Sequence, residues 1–296
     1  KMSSDGSVML LTGTVEAGQG PRTALSQIVA EELALPMDQI GVAQLDTDVT
    51  PYDISTSASS STVVMGTAVQ RAAEDARKQL LQCAAKVLKQ KAASLTLKDG
   101  QVVTKKGQSL SFSKVIVDFF GSKAGEIIGK GLYKDKRSAK AVLGSTTTFW
   151  EVGWGGVEVE VDRDTGSVHV LHYVSACDAG KAINPEQCVG QDEGAVMFGI
   201  GHTFMEEMIY EDGQLLNGNM VDYRVPTFKD LPDKLHTILI ENGNGPGPFG
   251  SKGIGEGGLL PVASAIANAV FRAVGVRIQD LPLTPPKIWR ALQAKS

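Results

Sequence analysis

The chain has 296 residues, of which 42% are hydrophobic, with 29 basic against 33 acidic side chains and a net charge of −4. That length is enough for a large core shared by two subdomains, and the nearly balanced charge excludes the basic surface a nucleic-acid partner requires. With 33 glycines and no apolar run near 18 residues, the composition is that of an α/β or α+β protein without a membrane span.

Cys83, Cys177 and Cys188 are odd in number and never form a C-x-x-C pair, which argues against a disulfide framework and against an iron–sulfur cluster. A cytoplasmic location is expected. The opening residues Lys1-Met2-Ser3-Ser4-Asp5-Gly6 carry no apolar signal core and run at once into Val8-Met9-Leu10-Leu11. The chain is therefore expected to be one subunit, or an excised piece, of something larger.

Residues 7–11 read as a strand, and Thr12-Gly13-Thr14-Val15-Glu16-Ala17-Gly18-Gln19-Gly20 as a loop entering a helix that has Pro21 at its first position and Leu25, Ile28, Val29 and Leu33 in one stripe. Gln19 thus lies at a helix N-terminus, where an amide and backbone N–H groups can meet an anion or an oxo group. A plain strand-to-helix turn fits these residues equally well.

Residues 40–45 are the next strand. In Ser55-Thr56-Ser57-Ala58-Ser59-Ser60-Ser61-Thr62 seven of eight residues carry a hydroxyl, ahead of a helix running from Val63 to Val87. Such a cluster suits a phosphate or a pterin edge, and its composition also suits a flexible linker. Residues 94–97 and 101–104 read as a hairpin, 109–112 as a short strand, and 113–120 as the start of a helix. Residues 121–148 read as a long connection, and Lys130, Lys134, Lys136, Arg137 and Lys140 as part of a solvated, mobile loop.

The second half opens with the alternating Val157-Glu158-Val159-Glu160-Val161-Asp162, a turn at Arg163-Asp164-Thr165-Gly166, and a second strand over 167–174 that ends at Cys177-Asp178-Ala179-Gly180. Asn184-Pro185 starts a long helix carrying Gly190-Gln191-Asp192-Glu193-Gly194, where the small residues imply close backbone packing, against another helix or against a cofactor. His202 and His236 lack metal-ligand spacing and read as structural. After a strand over 236–240 comes Gly250-Ser251-Lys252-Gly253-Ile254-Gly255-Glu256-Gly257-Gly258, then a helix with Val262, Ile266 and Val270 on one face. A carboxylate at that helix N-terminus would be held ionised, as a general base requires, although a solvated Glu in a surface loop fits as well. Gly253 to Gly258 also satisfies G-x-G-x-x-G. The preceding Asn244-Gly245-Pro246-Gly247-Pro248-Phe249 cannot be the strand a dinucleotide site needs.

Five blocks in order resemble the molybdenum hydroxylases, the xanthine dehydrogenase and aldehyde oxidoreductase family. They are Glu16–Gly20, Ser55–Thr62, Gly190–Gly194, Tyr223-Arg224-Val225-Pro226, and Ser251–Glu256 with Leu281-Pro282-Leu283-Thr284-Pro285-Pro286 downstream. The resemblance implies an α+β fold of two similar subdomains, mixed sheets backed by helices, over 1–148 and 149–296. It implies a molybdopterin cofactor, in the plain or the cytosine dinucleotide form, contacted by Ala17, Gly18, Gln19, Ala58, Ser59, Ser60, Ser61 and Gln191. The pterin rather than a side chain holds the metal. Glu256 is the implied general base in hydroxylation of an aldehyde or N-heteroaromatic carbon with oxygen from water. The first molybdenum-binding half and the iron–sulfur and FAD domains or subunits are the implied partners. A non-catalytic cofactor-binding or assembly role is the alternative. The segment from Gly121 to Trp154 departs most from the family, and Phe149-Trp150-Glu151-Val152-Gly153-Trp154-Gly155-Gly156 is only loosely like its aromatic and small-residue lead into the strand.

Overall fold

The computed structural model describes residues 1–121, 125–134 and 147–295. They form an α+β fold of two compact units. The first holds Lys1–Trp150, Gly180–Asn184 and Gly243–Gly253; the second holds Glu151–Ala179, Pro185–Asn242 and the chain from Ile254 onward.

In the first unit β1 (Val8–Leu10) pairs in parallel with β2 (Ile40–Val42), Val8 opposite Ile40. Parallel strands need a crossover, and α1 (Pro21–Leu33) supplies it. Proline at its first turn costs no hydrogen bond, and Gly20 before it has φ 78°. Helix α2 (Ser61–Val87) is 27 residues, about 40 Å, and packs on α1. Its buried Val69, Ala73, Ala76, Leu80 and Ala84 recur at helical spacing and meet Leu25, Ile28, Val29 and Leu33 of α1 in one core. Strands β3 (Leu95–Lys98), β4 (Gln101–Thr104) and β5 (Ser109–Ser111) form an antiparallel meander leading to α3 (Phe112–Phe120), whose Val115 and Ile116 close the same core.

The connection after α3 is not a solvated loop over its described part. Ile127 is buried and bridges Met2, Ile128 O accepts from Gln79 Nε2, the Lys130 N–H donates to Asp75 Oδ2, and Leu132 O accepts from Arg71. Alanines on α2 let this segment run close against the helix: a β-carbon at Gly129 would lie 2.0 Å from Ala72 O, and one at Gly131 1.8 Å from Ala68 O. Lys136, Arg137 and Lys140 lie outside the described residues.

In the second unit a three-stranded sheet has the order β10-β7-β6. β6 (Gly153–Val161) and β7 (Val168–Asp178) are antiparallel with a register shift between Glu158 and Val159, and β10 (Lys234–Ile240) is parallel to β7. Both hairpin strands run further than the alternation predicts. Gly153 and Gly155 hide the β6 pattern, and Gly155 is required because a β-carbon there would lie 2.2 Å from the Tyr173 hydroxyl. Helix α4 (Pro185–Phe204) leads on to the small hairpin β8 (Tyr210–Glu211) and β9 (Gln214–Leu215). Helix α5 (Val262–Val274) packs on β6 and α4, and α6 (Pro285–Lys295) ends the unit. Val196 and Ile200 of α4, Val262, Ile266 and Val270 of α5, and Ile288 and Leu292 of α6 share the core with Val170 and Tyr173.

Against the expectation from composition, residues 257–274 are long and apolar enough to count as a candidate membrane span. Only the 13 residues of α5 are α-helical. That is about 20 Å, against a hydrocarbon core of ~30 Å, and the helix buries its apolar stripe in the unit's own core.

Candidate functional site

In the first unit the two polar loops singled out in the sequence meet. Gln19 Nε2 donates to Thr56 Oγ1 at 3.0 Å and to Val15 O at 2.9 Å, while its Oε1 accepts from the Ala17 N–H at 2.7 Å. Ser61 Oγ donates to the same Thr56 oxygen at 3.1 Å. The amide of Gln19 therefore ties its own loop to Thr56. The helix N-terminus is not left for an anion. Glu16 takes it: Oε1 accepts from Gly18 N and Gly20 N, each at 3.0 Å, and Oε2 from Arg22 N at 3.4 Å.

The hydroxyl loop is shaped by strain. Ser55, Ala58 and Ser59 have φ of 78°, 48° and 53°, three left-handed non-glycine residues within five positions. Each costs roughly 1 kcal/mol, and such outliers gather at ligand clamps. Ser60 precedes α2 and turns its Oγ back to Ser57 O at 2.6 Å. Gly253 lies against this loop, where a β-carbon would fall 1.5 Å from Ser59 O.

In the second unit Glu256 is exposed, with φ −108° and ψ 9°, immediately before a 3₁₀ turn over Gly257–Leu259. The expected placement at the start of the apolar helix needs correcting, since α5 begins only at Val262. A helix dipole acts over the first turn, so that of α5 does not reach Glu256. The amides beside it serve another carboxylate: Gly255 N and Gly257 N both donate to Glu151 Oε1 at 3.1 Å.

Gln191 is half-buried on α4, and Gly190 and Gly194 beside it have open space where a β-carbon would stand. The close packing expected of the small residues along this helix occurs at Gly199, where a β-carbon would lie 2.5 Å from Val262 Cβ, and not at Gly190 or Gly194. Asp192, the neighbour of Gln191, is 1% exposed. It accepts from Ser175 Oγ at 3.0 Å and Thr237 Oγ1 at 2.6 Å, and lies under Gly258, where a β-carbon would meet its Oδ1 at 2.5 Å. Burial, and then the Asp192 charge, push both the Tyr173 hydroxyl and the Cys177 thiol up to about 12. Among the described residues no group of His, Cys, Asp and Glu could hold a metal ion.

These features fit a pterin. In the first unit Gly18, with φ 100°, has open space where a β-carbon would stand, and the Gln19 amide with the Thr56 and Ser61 hydroxyls are neutral groups of the kind that match the donors and acceptors of a pterin edge. Glu16, Thr56, Glu151 and Asp192 were not among the residues assigned from sequence. Glu16 and Thr56 lie inside motifs already singled out. Asp192 lies inside the Gly190–Gly194 motif and bonds Ser175 and Thr237, 17 and 45 residues away, whereas Glu151 acts on amides more than 100 residues away and no local pattern marks it.

A family model described as molybdopterin cofactor-binding domain matches residues 1–232. The chain is 33% identical over 296 residues to the putative xanthine dehydrogenase molybdenum-binding subunit of Escherichia coli (strain K12), covering 97% of this chain and 38% of that protein. It is also 33% identical over 300 residues to the 6-hydroxypseudooxynicotine dehydrogenase complex subunit gamma of Paenarthrobacter nicotinovorans, covering 99% and 37%. Among solved structures, quinoline 2-oxidoreductase from Pseudomonas putida 86 matches with a TM-score of 0.85 at 28% identity, covering 99% of this chain and 37% of that one. The chain thus spans less than two-fifths of the length of the curated relatives it matches.

Proposed function

The chain belongs to the molybdopterin cofactor-binding domain family, and from that premise we propose that it is the part of a molybdenum hydroxylase that carries the general base, Glu256. The substrate class is an aldehyde or an electron-poor N-heteroaromatic carbon. The chemistry supplied by the bound cofactor is two-electron oxidation of that carbon with oxygen derived from water.

This chain's own residues bind, orient and move a proton. Ala17, Gly18 and Gln19, with Ala58, Ser59, Ser60 and Ser61, are the pterin contacts we assign to the first unit, and Gln191 is the one we assign to the second. The strained hydroxyl loop tied through Thr56 to Gln19 supports that assignment. Glu256 takes the proton released at the attacking oxygen as the carbon–oxygen bond forms. Iron–sulfur and FAD domains or subunits would take up the electrons, and the first molybdenum-binding half would complete the enzyme, which we place in the cytoplasm. The chain without these partners is expected to be inactive.

The observation that supports this reading most is the setting of Glu256. Its side chain is exposed while the peptide groups on both sides are held by Glu151, so a base stands on a fixed support. Glu256→Gln in the complete enzyme tests it. The expected result is a fall in kcat of about 10²- to 10⁴-fold with unchanged molybdenum and pterin content. Activity within a few-fold of the parent would mean an assembly or binding role in place of the base.

A further inference from the structure

Glu151 stands two residues ahead of β6, and one oxygen of its carboxylate bridges two peptide groups more than 100 residues further on. Oε1 accepts from Gly255 N and from Gly257 N at the same distance, 3.1 Å, and these are the amides on either side of Glu256. The fit leaves no room for a side chain, since a β-carbon at Gly257 would lie 2.6 Å from both Cδ and Oε1 of Glu151. Backbone N–H groups given to a carboxylate form charge-assisted bonds, the strong class. Residues 254–256 belong to no helix or strand that would otherwise set their path. Glu256 itself occupies the sparsely allowed bridge region, which a backbone keeps only when its surroundings over-determine it.

We infer that Glu151 is a positioning residue: the bridge from its Oε1 to Gly255 and Gly257 sets the backbone from which Glu256 projects, and so orients the base. This rests on the assignment of Glu256 above. The role differs from that of a residue that only stabilises the unit, because its loss changes the reacting geometry before it changes binding.

The test uses Glu151→Ala, Glu151→Gln and Glu256→Gln in the complete enzyme. Glu151→Ala is expected to lower kcat about 10- to 100-fold while KM for the organic substrate stays within about 2-fold and cofactor content is unchanged. Glu151→Gln keeps an acceptor oxygen at the same place and is expected to restore most of the loss. Amide hydrogen exchange over residues 254–258, read by mass spectrometry with and without cofactor, is expected to run about 10-fold faster in Glu151→Ala than in the parent. If Glu151→Ala does not assemble, Glu151→Asp keeps the charge, withdraws it by one methylene and should show the same fall in kcat at constant KM. Parental kcat in the Ala or Asp variant overturns the inference and leaves the Glu256 assignment standing. Parental turnover in Glu256→Gln overturns that assignment and the inference with it, even where exchange accelerates.

Discussion

Gln19 and Thr56, 37 residues apart, are joined by a 3.0 Å hydrogen bond from the amide to the hydroxyl, and Thr56 also receives the Ser61 hydroxyl. The two loops we propose as pterin contacts therefore share one oxygen. Thr56→Val keeps the shape and removes that acceptor. Two neutral hydrogen bonds are worth about 1–3 kcal/mol together, so cofactor retention should weaken by roughly 10-fold or more. The check is pterin fluorescence per chain after gel filtration, and parental retention would show that the two loops act independently.

Asp192 holds Ser175 on β7 and Thr237 on β10 to helix α4, beneath the turn that follows Glu256. Asp192→Ala strands the buried Ser175 hydroxyl and the half-buried Thr237 hydroxyl and opens a void, and should cost about 2–4 kcal/mol. Asp192→Asn keeps one acceptor and removes the cost of burying a charge, so its penalty should be less than half as large. Equilibrium unfolding in urea at constant m separates them. Equal penalties for the two variants would mean that the charged carboxylate itself, rather than side-chain volume or a single acceptor, is what Asp192 contributes.

Cys177 and Tyr173 set the alkaline limit of the second unit. Their ordinary values are 9.0 and 10.0, and burial pushes both up to about 12 in the folded unit. Between those values the unfolded chain has released protons that the folded unit keeps. Stability must then fall as pH rises from about 9 toward 12, while below pH 9 these groups contribute no slope. Each contributes up to ~1.4 kcal/mol per pH unit within its own window. Cys177→Ala should flatten the decline that begins near pH 9. The native thiol should resist iodoacetamide at pH 8 and react once the unit is unfolded.

Much of this was legible in sequence where the signal is local. The stripe Leu25, Ile28, Val29 and Leu33, the proline at the start of α1 and the alternation after Val157 each predict an element that the fold contains. The motifs around Gln19, Ser59, Gln191 and Glu256 pointed to the same family that the comparisons return. What stayed hidden is long-range. Glycines at 153 and 155 carry no side-chain period, so the first part of β6 was invisible. Glu151 looks like an ordinary charge until the folded chain brings glycine amides to it. The start of the apolar run in sequence is not the start of α5, because a 3₁₀ turn intervenes.

The segment 125–134 follows the same logic, since a stretch without a period reads as a loop until its partner helix is seen. Its glycines settle the difference between a tethered strand and a solvated connection. Gly131→Ala would place a β-carbon 1.8 Å from Ala68 O and 2.5 Å from Ala72 N, both backbone atoms of α2 that cannot yield. The segment would have to lift, giving up the bonds from Arg71 and Gln79 and withdrawing Ile127 from the core. A loss of at least about 2–3 kcal/mol is expected, with new proteolytic cleavage between residues 125 and 134. Gly107→Ala is the control, at a turn with φ 83° and open space around it. It should cost only the roughly 1 kcal/mol of left-handed strain and create no cleavage site there. If Gly131→Ala behaves like Gly107→Ala, the segment is a loop after all and α2 is not its support.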